Sequence, residues 1–179
     1  MVRDALEGDR LIGMVLLRPG WEDQYEGRPP VYETGTAGAI VRSKQLPDGR
    51  YNIILHGRRE FTIDQELDGR SYRRAEVTWR SQFESTLDPT RRERISDLVR
   101  EYLDRRGQAD LLPDRPQLGV SDATFVGFIA QHVDLVPVER LGMLQAPTLA
   151  ERADRLIASL EFQLHALRSG GPEGPERPQ

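Results

Sequence analysis

The side chains able to do chemistry in this sequence are few: three histidines, His56, His132 and His165, a single lysine, Lys44, and no cysteine. Without cysteine there is no disulfide, thiolate nucleophile, iron–sulfur cluster or cysteine-held zinc. Lys44 stands in Ser43-Lys44-Gln45, so the Gly-Lys-Ser/Thr that lets a P-loop reach phosphates and magnesium is absent. A Schiff-base or Ser-Lys mechanism would need this same lysine, which lies at a strand end just before a Pro47-Asp48-Gly49 turn. No Gly-x-Ser-x-Gly elbow presents a serine to a base. His56 has no histidine or acid at metal-ligand spacing, His132 sits on an apolar helical stripe as a core or subdomain-interface histidine, and His165 lies near the end of the last helix. Glu22, Asp23 and Glu26 could share proton transfer but read as a solvated loop. Gly35-Thr36-Ala37-Gly38 superficially matches a phosphate cradle, yet the strand Ala39-Ile40-Val41 follows it rather than a helix. These glycines therefore predict a bend or bulge where strands cross closely. No catalytic, cofactor or metal residue is assigned.

The 179 residues include 25 basic and 29 acidic side chains, a net charge of −4, and 24 of the basic residues are arginine. Arg58, Arg59, Arg70, Arg73, Arg74 and Arg80 are the set that could track a nucleic-acid backbone, the alternative being an RNA-binding protein using arginine-bearing strands. Residues 1 to 87, however, hold 13 basic and 14 acidic residues, and Glu60, Asp64, Glu66, Asp68 and Glu76 are interleaved with those arginines. A salt-bridged, solvated face is the simpler outcome. No apolar run approaches the roughly 18 residues of a membrane span, and Met1-Val2-Arg3-Asp4 does not open a signal peptide. A soluble, cytoplasmic protein with no membrane partner is expected.

The elements that must position any site change period once, near residue 87. Before it, a short helix carries Val2, Ala5 and Leu6, and Leu11 to Leu17 is an apolar strand. Residues 18 to 30 read as a loop, followed by strands at Ala37 to Ser43, Tyr51 to His56, Phe61 to Leu67 and Tyr72 to Phe83. Pro47-Asp48-Gly49 and Asp68-Gly69 are tight-turn sequences, so consecutive strands should pair antiparallel. Alternation puts Phe61, Ile63 and Leu67 on one face, and Ala75, Val77 and Trp79 on one face. Such strands close most simply into a small barrel.

Beyond residue 87 the spacing predicts helices. Asp88-Pro89 caps one that carries Ile95, Leu98, Val99, Tyr102 and Leu103 as far as Gly107, with Glu101 and Arg105 a favourable pair. After a proline-rich connector, 111 to 118, a second starts near Ser121 with the stripe Phe125, Phe128, Ile129, His132 and Val133. Pro137 opens a third with Leu141 and Leu144, and the capping box Thr148-Leu149-Ala150-Glu151 opens the last, which carries Leu149, Ala153, Leu156, Ile157, Leu160, Leu164 and Leu167. The expected organisation is α+β: a β subdomain over 1–87, a helical bundle over 88–168 and a disordered tail over 169–179, which has three glycines, three prolines and no hydrophobic side chain.

The run Asp9-Arg10-Leu11-Ile12-Gly13-Met14-Val15-Leu16-Leu17, then Gly38-Ala39-Ile40-Val41, Leu46-Pro47-Asp48-Gly49-Arg50-Tyr51-Asn52-Ile53, Gly57-Arg58-Arg59-Glu60-Phe61-Thr62-Ile63 and Tyr72-Arg73-Arg74-Ala75-Glu76-Val77, resembles the Lon substrate-binding (Lon N-terminal) domain family. Phe128-Ile129-Ala130-Gln131 through Leu160-Glu161-Phe162-Gln163-Leu164 is similar to the helical part of stand-alone bacterial members, so the resemblance covers about residues 1 to 167. It implies a PUA-like antiparallel β pseudo-barrel followed by a helical bundle. It also implies a non-catalytic module that recognises unfolded or exposed apolar polypeptide segments and acts as an adaptor in protein quality control. In full-length relatives the ATPase and Ser-Lys peptidase domains lie downstream, and neither follows here. Two departures stand out: the family's first apolar strand, expected before Met1-Val2, is missing, and Glu60 stands where the family has arginine. Loss of that strand is expected to expose a barrel edge.

The expected binding surface is a groove between the β part and the helices. Trp21, Tyr25 and Tyr32, in or beside the long loop, are the candidate polypeptide contacts. The implied partners are unfolded or client polypeptides and a protease or chaperone; no cofactor and no nucleic acid are implied.

Overall fold

Two glycines with positive φ make the turns on which the β structure is built. Gly49 (φ 85°) and Gly69 (φ 89°) occupy the left-handed region, where a Cβ would be strained. At the first, Gly49 N–H donates to Leu46 O at 3.0 Å, and Asp48 accepts from Arg50 N–H at 3.0 Å and from its Nε at 2.7 Å. Replacing Gly49 with alanine is expected to lower stability by about 1 kcal/mol. Denaturant unfolding checks this, and an unchanged midpoint would show that the turn tolerates a Cβ.

The computed structural model describes residues 1–22, 27–81, 83, 86–109 and 120–169. The chain divides into two compact units, Met1–Gln82 and Phe83–Gln179. The first begins with helix α1 (Val2–Glu7), followed by strands β1 (Leu11–Leu17), β2 (Val31–Gln45), β3 (Tyr51–Leu67) and β4 (Arg74–Trp79). They form one antiparallel sheet in the order β1-β2-β3-β4, and among the described residues no ladder joins β4 to β1.

The segments 51–56 and 61–67, expected as separate strands, are one continuous β3 of 17 residues. The sequence between them, Gly57 to Glu60, stays in the ladder because a register shift opposite Ala37/Gly38 absorbs the extra residue as a bulge. A second shift, between Ile63 and Gln65, corrects the expected face of Leu67. Phe61 and Ile63 pair with Trp79 and Val77, but beyond the shift Glu66 stands opposite Ala75, and Leu67 opposite Arg74. One inserted residue reverses the alternation.

The second unit contains α2 (Pro89–Arg105), α3 (Asp122–His132), α4 (Pro137–Leu144) and α5 (Leu149–Arg168). Its caps follow the sequence. Asp88 accepts from Arg91 N–H at 3.2 Å, Ser121 from Thr124 N–H at 3.2 Å and Thr148 from Glu151 N–H at 3.1 Å, each satisfying a donor that the first helical turn leaves open. At the other end of α2, Gly107 (φ 65°) donates to Asp104 O and Gln108 to Leu103 O, a Schellman closure. Glu139 reaches back to the Val136 N–H at 2.9 Å before α4.

The core of this unit joins Ile95, Leu98, Val99, Tyr102 and Leu103 of α2 to Leu149, Ala153, Leu156, Leu160 and Leu164 of α5, with Val126, Ile129, Val133 and Met143 alongside. On α3 the expected stripe is corrected. Val126 and Ile129 are buried, whereas Phe128 and His132 are exposed and stack on one another with ring centroids 4.2 Å apart. Ile129 and Val133 of that stripe are in the core and Phe125 packs against it, so spacing finds the inward face but draws it too wide by Phe128 and His132. Leu167, expected on the α5 stripe, is partly exposed. Of the expected tail, residues 170–179 lie outside the described residues.

Ion pairs run along the α2–α5 seam: Arg91–Asp154 at 2.8 Å, Arg94–Glu161 at 2.5 Å and Arg168–Glu101 at 2.6 Å. Hydrogen bonds from Arg168, and then from Arg105, hold the Glu101 carboxyl below its ordinary range. A carboxyl whose folded pKa is depressed adds stability above its unfolded pKa and loses it as pH falls through the folded value. Relative to Glu101→Gln, the native protein is therefore expected to gain melting temperature at neutral pH, with the advantage vanishing on acidification. Thermal melts of both proteins across that range check the sign.

Candidate polypeptide-binding surface

A row of side chains in register across all four strands organises the β unit: Val15, Gly35, Phe61 and Trp79. Phe61 is 4% exposed, and its ring lies against the two glycines Gly13 and Gly35. A Cβ on Gly35 would meet Met14 O at 2.5 Å, Val15 at 2.6 Å and the Phe61 ring at 2.7 Å, so no other residue fits there. The expectation that Gly35 to Gly38 marks a close crossing and a bulge holds: Gly35 is the close crossing, and Gly38, where an added Cβ would lie 3.1 Å from Leu55, adjoins the register shift. At the end of the row, Trp79 packs edge-on to Phe61 at 6.4 Å, carries the Arg59 guanidinium 5.8 Å over its ring and remains 41% exposed. Alternation places Trp79 with Ala75 and Val77, but β4 ends at Trp79 and not at Phe83 as expected, so the ring sits at the strand end and stays partly open.

Of the three candidate contact residues, Trp21 and Tyr32 are half-buried and Tyr25 lies outside the described residues. Tyr32, at the start of β2, has the Arg18 guanidinium 5.3 Å over its ring. Arg18 also donates from its backbone N–H to Pro30 O at 2.8 Å and from Nε to Val31 O at 2.9 Å, which pins the exit of β1 to the entry of β2. Among the described residues of this unit, the exposed large apolar side chains are Met1, Leu11, Met14, Val41, Ile54 and Trp79.

His56, His132 and His165 are all exposed, and His132 Nδ1 bonds to Phe128 O at 2.8 Å within its own helix. Among the described residues no group of histidines and acids could hold a metal ion, and no helix is long and apolar enough to cross a membrane. An open hollow of about 560 Å³ is lined by Met1–Asp4 and Gly49–Tyr51.

Several arginines on and around β4 have partners. Arg80 meets Glu60 at 3.6 Å, Arg73 meets Glu66 at 3.8 Å, Arg70 meets Asp4 at 3.7 Å, and Arg74 donates to Asp68 O at 2.8 Å. Glu60, the departure from the family pattern, is the partner of Arg80. Asp4 also accepts from the Tyr72 hydroxyl at 2.7 Å, which lowers the carboxyl's pKa and raises the phenol's, and ties α1 to the segment before β4.

The fold is α+β: an antiparallel sheet and a set of helices. The family model of the ATP-dependent protease La (LON) substrate-binding domain matches residues 1–161, and the chain belongs to that family. Similar curated proteins include the Lon proteases of Flavobacterium johnsoniae (25% identical over 178 residues, 93% of this chain) and Dictyoglomus thermophilum (27% over 176 residues, 93% of this chain). The chain spans about a fifth of the length of these relatives, 21% in each case. Among solved structures, the Lon N-terminal domain protein of Xanthomonas campestris superposes with a TM-score of 0.54 at 19% identity, over 83% of this chain and 88% of that one. The N-terminal domain of Mycobacterium avium complex Lon protease gives 0.52 at 15% identity, over 84% and 89%. These likenesses share the fold.

Proposed function

We propose that this chain is a non-catalytic module that binds unfolded or exposed apolar polypeptide segments and serves as an adaptor in protein quality control, delivering clients to a protease or chaperone. The observation that carries the reading is the match of residues 1–161 to a substrate-binding domain. The exposed apolar side chains of the β unit support it, because a flexible client gains most from apolar contacts that tolerate many sequences. Arg70, Arg73 and Arg80, in the turn before β4 and just after it, each lie against an acid, and that pairing favours a polypeptide over a nucleic acid, since phosphate binding draws on guanidinium groups free to release counterions.

The test is binding of the purified chain to a labelled, permanently unfolded polypeptide, in competition with structured RNA across a salt series. Polypeptide binding that persists at high salt and ignores RNA supports the proposal. Binding of RNA alone, weakening steeply with salt, overturns it.

A further inference from the structure

We propose that the outer face shared by α4 and α5 docks a short amphipathic helix of another protein, one that brings an apolar stripe and, two turns along it, a single carboxylate. The inference goes beyond the client-binding reading and does not rest on it.

Four contacts lay α4 antiparallel along α5. Arg152 donates to Leu144 O at 3.2 Å, Arg155 to Gly142 O, Ser159 to the Glu139 carboxylate at 3.3 Å, and Gln163 to Asp134 O, just before α4, at 2.9 Å. On α5 the positions 155, 159, 162 and 166 follow one helical stripe, so Phe162 stands on the flank turned toward α4. Phe162 is 69% exposed, and Val136 and Val138, at the same level across from it, are 47% and 57% exposed. One turn beyond Val138, Gly142 has no side chain, and a Cβ there would meet nothing within 4 Å. The face is apolar, with an open notch at one end.

Its charge is unbalanced, unlike that of the flank of α5 turned toward α2. There Asp154, Glu161 and Arg168 are each paired with a residue of α2. On the α4 side the stripe Arg155, Ser159, Phe162 and Ala166 holds one charge, and among the described residues Arg155 meets a backbone carbonyl and no carboxylate. Glu139 is engaged by the Val136 N–H and the Ser159 hydroxyl, toward the Phe162 end. A docked carboxylate is therefore drawn to the Arg155 end and repelled from the other. Arg155 and Phe162 are seven residues apart, roughly 10 Å along the axis, and the partner must match that spacing.

A helix meets these requirements better than an extended segment. The backbone groups along α4 and α5 are already bonded, so they offer nothing to the N–H and C=O groups of a strand that would lose water on docking. A helix brings its own hydrogen bonds satisfied. Its side chains at i, i+3, i+4 and i+7 fit a groove between two helices, and i to i+7 is the distance from apolar anchor to charge.

The test uses two dye-labelled, hydrocarbon-stapled helices of about fifteen residues. Both carry leucines along one face; seven positions from the central leucine, one has glutamate and the other lysine. The glutamate helix is expected to bind the whole chain several-fold tighter than the lysine helix, with amide NMR shifts confined to α4 and residues 155–166. Phe162→Ser, at an exposed position, should leave the melting temperature unchanged and weaken binding by about tenfold or more, because one large apolar side chain is no longer covered. Val138→Ser repeats the loss on α4, and Phe128→Ser, on α3, should change nothing. Arg155→Glu should reverse the preference between the two helices.

Failure of both helices to bind, undiminished binding by Phe162→Ser and Val138→Ser, or equal binding by a proline-broken peptide of the same composition overturns the inference and leaves the client-binding reading intact. Absence of unfolded-polypeptide binding while the glutamate helix still binds overturns the client reading alone. Loss of unfolded-polypeptide binding in Phe162→Ser would make this face the client's. Self-association of the free chain, abolished by Phe162→Ser, would give it to a second copy. Either of these last two results overturns the inference.

Discussion

Gly35→Ala is expected to destabilise the β unit by about 2–3 kcal/mol, the upper part of the range for overpacking a closed site. The added methyl would overlap a backbone oxygen of β1, a methyl of Val15 and the Phe61 ring at once. The ring could rotate away by itself, but Met14 O is part of the β1–β2 pairing and cannot move without loosening the ladder. The small gain from restricting the unfolded chain, under about 1 kcal/mol, is too little to reverse the sign. Chemical denaturation followed by the fluorescence of Trp21 and Trp79, both in the β unit, measures it, and a wild-type midpoint would show that β1 and β2 separate more easily than their register implies. Gly57→Ala, at an exposed position where a Cβ meets nothing within 4 Å, is the control and should leave the midpoint nearly unchanged.

Tyr102→Ala is expected to cost about 3–5 kcal/mol, the penalty for emptying a large aromatic site in a packed core. Tyr102 is 1% exposed, and its hydroxyl accepts from the Asp134 backbone N–H at 3.2 Å and from Arg106 at 3.1 Å. Arg106 also pairs with Asp134 at 2.7 Å, so one buried hydroxyl joins α2 to the segment between α3 and α4. Tyr102→Phe separates the two contributions. It keeps the ring and removes the acceptor, and should cost about 1–2 kcal/mol. Equal losses in the two variants would place the whole effect in the hydrogen bonds, and a neutral Phe variant would place it in packing.

What was legible in the sequence was chiefly local. Asp88, Ser121 and Thr148 cap their helices because capping needs a side-chain oxygen within three residues. Pro47-Asp48-Gly49 turns because glycine accepts a φ that alanine resists. The crossing at Gly35 was readable for a related reason: two glycines in a strand sequence leave room for something to approach.

What escaped depended on residues distant in sequence. The continuity of β3 through Gly57 to Glu60 relies on its neighbour absorbing one extra residue, and the face of Leu67 on a second shift that no alternation pattern announces. Phe128 and His132 were misplaced because how much of the apolar side of α3 turns inward is decided by α5, not by α3. As for the contacts, Trp21 and Tyr32 were chosen as loop aromatics, and how far each is covered depends on neighbours that the sequence around them does not name.

The order of the strands and the α2–α5 seam also set when each unit can form. Every ladder in the sheet joins consecutive strands, so pairing proceeds by short loop closures as the chain lengthens. The seam joins Arg91 to Asp154 and Arg94 to Glu161, partners 63 and 67 positions apart, and most of α2's apolar side has no partner until α5 exists. During synthesis, β1 to β4 would be paired while α2 still waits for the last helix. For that interval the chain would itself be an incompletely folded polypeptide, its sheet assembled and the apolar stripe of α2 still on display.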